Sequence, residues 1–120
     1  MHNHARKKIL FFAESATLAH VIRPIVLTGT LDPALYDVSI ATSTDFKSIA
    51  SQTGLPIHDL WSIGSKAYLA AVNAGQVVFS YSVLKRYVQD DLRLINLIQP
   101  DVIVGDFRLS LAVSARLAKI

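Results

Sequence analysis

The stretch KILFFAESATLAHVIRP, residues 8–24, decides the fold. Its opening, KILFFA, is a continuous apolar run rather than an alternating one, which predicts a strand buried on both faces, as in a parallel sheet. Glu14 breaks the run. Beyond the break Leu18, Val21, Ile22, Ile25, Val26 and Leu31 recur at helical spacing. Pro24 has no N–H to donate, so it fits only near a first turn, and the helix is predicted to begin a few residues before it. The stretch is therefore a strand, a turn and a helix, with His20 beside the turn.

The same grammar repeats along the chain. YDVSIAT, residues 36–42, alternates Val38 and Ile40 with small polar residues after the turn-like LDPAL and predicts a second strand. Ser43 or Thr44 can cap a helix through Ser51, which Gly54 and Pro56 stop. PIHDL gives a short third strand. Residues 65–99 predict helix broken near Gly75, with Val83, Leu84, Tyr87, Leu92, Ile95 and Ile98 on one apolar stripe and Pro100 as terminator. DVIVGDF, residues 101–107, is a fourth strand, and LSLAVSARLAKI opens another helix. This alternation predicts an α/β, Rossmann-like parallel sheet with helices on both faces. Ligands of such sheets gather outside the carboxyl ends of the strands, so the loops after Ala13 and Gly105, with His20 and Asp106, are where chemistry is expected.

Composition narrows the class. A chain of 120 residues that is 52% hydrophobic and 18% charged is a folded domain, not a disordered segment. Part of its net charge of +3 sits in MHNHARKK, and residues 1–7 are expected to form a flexible basic terminus. No basic face interleaved with aromatics is present, so no nucleic-acid partner is expected. The absence of cysteine suits a reducing compartment, and a cytoplasmic location is expected. The apolar run behind the basic start is too short for a secretory signal core. The uncharged segment AYLAAVNAGQVVFSYSVL, residues 67–84, is interrupted by Asn73, Gly75 and Gln76, which favours core or pocket lining over a membrane span. The chain stops within the last predicted helix, at Ile120. That predicts a piece of something longer, with an unfinished sheet edge through which a homo-oligomer could pair.

The glycine-free turn ESATLAH matches neither a dinucleotide fingerprint nor a P-loop. No G-x-S-x-G elbow occurs, and the histidines lack zinc-ligand spacing, so neither a cofactor nor a metal is expected. What remains is a pair: Asp106 could hold the imidazole of His20 while the other ring nitrogen takes a proton from a hydroxyl. The plainer reading makes His20 a packing residue and Asp106 a helix cap. Two other classes also suit the residues. One is a non-catalytic α/β module that binds a ligand or partner. The other is a receiver-like domain phosphorylated on Asp106, although only Glu14 follows the first strand where an acidic pair is needed.

KILFFAESATLAHVIRPIVLTGTLDPALYDVSIAT resembles the opening of UDP-sugar-dependent glycosyltransferases with two Rossmann-like domains, the GT-B type that includes the macrolide glycosyltransferases. STDFKSIASQTGLPIHDL is similar to the second helix and third strand of that family, and LINLIQPDVIVGDFRLSLAVSARLAKI to its later strand and helix. The middle, residues 62–87, matches loosely. Ala19 replaces the usual glycine before the histidine, and three residues rather than two separate His20 from Pro24. The resemblance implies an incomplete N-terminal, acceptor-binding domain over residues 1–120, with the C-terminal nucleotide-sugar domain absent. It implies that His20 deprotonates the acceptor hydroxyl, that Asp106 orients His20, and that the sugar is transferred with inversion and without a metal. Small-molecule acceptor and nucleotide-sugar are the implied partners. Thr17, Trp61, Tyr68, Phe79 and Phe107, with Tyr81, are the implied contacts for an apolar acceptor. No transferase activity is expected of the 120 residues alone.

Overall fold

The computed structural model describes residues 5–120; the first four residues of the expected basic terminus lie outside the described residues. Four parallel strands, β1 (Lys7–Ala13), β2 (Tyr36–Thr42), β3 (Ile57–Asp59) and β4 (Val102–Asp106), form one sheet in the order β3-β2-β1-β4. β1 is central: Phe11 lies in register with Ile40 on one side and with Val104 on the other. The strand takes in Lys7, whose N–H donates to the carbonyl of Leu35 at 3.1 Å.

Central position explains why KILFFA has no polar face. Ile9, Phe11 and Ala13 point to one side, against Val21, Val38, Ile40 and Ala50. Leu10 and Phe12 point to the other, against Leu60, Leu94 and Ile95. Each fully buried Leu or Phe is worth about 1.5–3 kcal/mol of transfer free energy, so both faces reward the parallel pairing. α1 (Ala19–Thr28) and α2 (Lys47–Ser51) cover the first face, and α4 (Tyr81–Ile98) and α5 (Leu111–Ala118) the second. α3 (Gly64–Asn73) lies between β3 and α4 in the chain and has no buried residue. Gly75, at φ 65°, follows α3 where the break was expected.

Three local expectations change. Pro24 is the sixth residue of α1, one turn deeper than expected, and it leaves the carbonyl of His20 without a partner four residues on. α1 buries Val21, Pro24 and Thr28, while Ile22 and Val26 of the expected stripe face outward. A helix apolar on most sides carries more than one such stripe, and spacing alone does not choose between them. α5 ends at Ala118, with Lys119 left-handed at φ 58°. Ser43 does precede the helical turn Thr44–Phe46, but its side chain makes no capping bond.

Candidate active site

His20 is the second residue of α1, at the end of the loop that leaves β1. Asp106 is the last residue of β4, in register with Ala13, the last residue of β1. Two adjacent parallel strands therefore deliver both groups to the same edge of the sheet. His20 Nδ1 lies 3.0 Å from Asp106 Oδ1, and both side chains are less than one-fifth exposed.

A third residue joins them. Arg23, one turn along α1 from His20, donates from Nε to Asp106 Oδ2 at 2.5 Å and from Nη2 to Oδ1 at 2.7 Å. Its Nη2 also lies 2.8 Å from His20 Nδ1. The bidentate hydrogen bond from Arg23 holds the Asp106 carboxyl below the usual carboxylate range; burial opposes this, and the contact with His20 adds to it.

Phe107 follows Asp106 with a left-handed backbone, φ 59°. That conformation turns its ring back over His20, with centroids 4.5 Å apart and planes within 9°. Tyr68 from α3 meets Phe107 edge-on at 6.0 Å, and Phe79 meets it at the same distance. Of the residues expected to contact an acceptor, Phe107, Tyr68 and Phe79 thus form one cluster over the histidine. Thr17 adjoins it, its carbonyl accepting the N–H of His20 at 3.3 Å. Trp61 does not reach His20: it packs edge-on against Tyr87 at 5.0 Å, under the guanidinium of Arg86. Tyr87 and Phe79 link it to the cluster. Tyr81 is 81% exposed and stands apart.

Beneath the site lies a buried ionic cluster that the sequence reading missed. Arg108 donates from Nε to Asp91 Oδ1 at 3.0 Å and from Nη1 to the carbonyl of Trp61 at 2.6 Å and to Glu14 Oε2 at 3.4 Å. Ser110 and Ser114 donate to Asp91 Oδ2 at 2.5 and 2.7 Å. Arg108 also lies over the ring of Tyr87, 4.2 Å from its centroid. One guanidinium thus ties the loops after β1, β3 and β4 to α4. Ser15 adds a second tie, its Oγ accepting the N–H of Ser43 and its carbonyl accepting the hydroxyl of Ser65. Burial, with the nearby Glu14 carboxylate, pushes the Tyr87 phenol up to about 12.

A Rossmann-like sheet with a histidine–carboxylate pair at the carboxyl ends of adjacent strands defines an α/β module of the kind that supports proton abstraction. Over nearly its whole length the chain is similar to part of several glycosyltransferases. It is 43% identical over 115 residues to an inactive PGL/p-HBAD biosynthesis glycosyltransferase of Mycobacterium bovis, a match covering 96% of this chain and 31% of that protein. It is equally similar to a PGL/p-HBAD biosynthesis glycosyltransferase of Mycobacterium tuberculosis, of which it covers 27%. A PGL/p-HBAD biosynthesis rhamnosyltransferase of Mycobacterium bovis is 40% identical over 115 residues, with 25% of its length covered. The chain thus spans between a quarter and a third of these curated relatives. No family model matches it. No helix among the described residues is long and apolar enough to cross a membrane.

Proposed function

We propose that this chain is the acceptor-binding part of an inverting glycosyltransferase that moves a sugar from a nucleotide-sugar, of the UDP type, to a hydroxyl of a small apolar acceptor. The contact between His20 Nδ1 and Asp106 Oδ1, at 3.0 Å, carries the reading. With a proton on Nδ1 directed at the carboxylate, Nε2 is free to accept the hydroxyl proton. The acceptor oxygen attacks the anomeric carbon as the nucleoside diphosphate departs, and Asp106 stabilises the imidazolium that forms. Phe107, Tyr68 and Phe79 give an apolar acceptor aromatic surface beside the base, with Thr17 at the turn and Trp61 further out. The donor is held by residues outside this chain, the 120 residues alone do not turn over, and the protein works in the cytoplasm. The free edge of β4 is where further strands or a second copy would add.

The partners of Asp106 are an arginine and a histidine, not further carboxylates, which argues against the receiver-like reading. The test is His20→Gln in the full-length protein. Removing a general base is expected to lower kcat by roughly 10²–10⁴-fold with acceptor binding retained. Unchanged turnover would remove His20 from the chemistry and leave a binding module.

A further inference from the structure

His20 Nδ1 has two neighbours with opposite demands. Asp106 Oδ1, at 3.0 Å, can only accept a hydrogen bond, so it calls for a proton on Nδ1. Arg23 Nη2, at 2.8 Å, can only donate, so it calls for a bare lone pair on the same nitrogen. One nitrogen cannot satisfy both. The competition is uneven, because Asp106 is already served by Arg23: both its oxygens accept from the guanidinium, at 2.5 and 2.7 Å. A carboxylate engaged bidentately by arginine gains less from a further donor than a free one, while the second Nη2 hydrogen has the imidazole as its neighbour.

We propose that Arg23 is a positioning residue for His20: docked on Asp106 and donating to Nδ1, it keeps the imidazole proton on Nε2, and the base-competent tautomer forms when Nη2 leaves the ring. The inference rests on the reading of His20 as the base, for only that role makes a proton on Nε2 an inactive arrangement. Arg23 is suited to leave. Its side chain is 58% exposed, whereas Asp106 and His20 are held within the site at 19% and 16%. Among the described residues, the charged groups within hydrogen-bond reach of His20 are Asp106 from β4 and Arg23 from its own helix. Phe107 stacks on the ring without charge, and Tyr68 is the titratable residue that α3 brings to Phe107. An arriving anion, such as the diphosphate of a nucleotide-sugar, offers the guanidinium an alternative partner at the moment the base is needed.

Two-bond nitrogen–proton correlation spectra of the full-length protein labelled with ¹⁵N-histidine read the tautomer directly, without substrate, and His20→Gln assigns the signal. The wild type is expected to carry its neutral-ring proton on Nε2. In Arg23→Met the dominant tautomer is expected to switch to Nδ1–H, hydrogen-bonded to Asp106. Because Arg23 is largely exposed, the remaining histidine signals should be unchanged, which verifies that the variant is folded. A wild type already protonated on Nδ1, or a tautomer unmoved by Arg23→Met, would overturn the proposal. Turnover in His20→Gln would instead sink the base itself, and the spectra do not depend on it.

Discussion

Arg108 and Asp91 face each other across 3.0 Å with both side chains fully buried, and Glu14, also buried, meets the same guanidinium. Two carboxylates share one arginine, so the cluster depends on that single cation. Removing one partner of a buried pair leaves uncompensated charge and costs roughly 3–5 kcal/mol. Arg108→Met is therefore expected to lose about that much stability in urea unfolding. A loss below about 1 kcal/mol would show that Asp91 and Glu14 are not left as uncompensated buried charges once the guanidinium is gone.

Tyr87 reports on the same cluster from the other side. Its phenol is pushed up to about 12, first by burial and then by the Glu14 carboxylate. A folded value above the unfolded one, near 10, means that the stabilisation is complete below about pH 10 and is lost as the pH rises towards 12. Ultraviolet titration is expected to show a late phenolate component that Tyr87→Phe removes. A titration with no such component would place Tyr87 in contact with water.

The sheet was legible because each strand carries its own signal. Continuous apolar runs mark β1 and β4, and the alternation at Val38 and Ile40 marks β2. His20 and Asp106 were legible as strand-end groups, since register in a parallel sheet is nearly forced by the hydrophobic pattern. Arg23 and the Arg108 cluster were not. Arg23 reads as an ordinary solvated helix residue until Asp106 arrives from 83 positions away. Asp91 did leave a trace: it lies four residues from both Tyr87 and Ile95, so it interrupts the buried stripe of α4. A charge on an apolar stripe announces a buried partner. It does not say which, and Glu14 and Arg108 are 94 positions apart.

Asp106 gives the site an acid limit. The bidentate hydrogen bond from Arg23 holds its carboxyl low against the opposing effect of burial. With the folded value below the unfolded value of about 3.9, the stabilisation is present above about pH 4 and is lost as the pH falls through the folded value. The melting temperature of the wild type is expected to exceed that of Asp106→Asn near pH 6, and the gap to close on acidification. A gap that stays constant between pH 6 and pH 2.5 would mean that the carboxyl titrates alike in the folded and unfolded chains.

Phe107 offers the sharpest separation of backbone from side chain. Its φ of 59° lies in the region where a Cβ crowds the following carbonyl, at about 1–2 kcal/mol for a residue other than glycine. Replacing Phe107 by Ala or by Gly removes the same ring from His20, Tyr68 and Phe79, but only Gly also removes the strain. Phe107→Gly is therefore expected to be more stable than Phe107→Ala by about 1 kcal/mol in urea unfolding, although it carries less apolar surface. An alanine variant as stable as the glycine one would show that the loop relaxes to an ordinary φ once the ring is gone. The stack on His20, and not the fixed end of β4, would then be what holds the backbone in its left-handed turn.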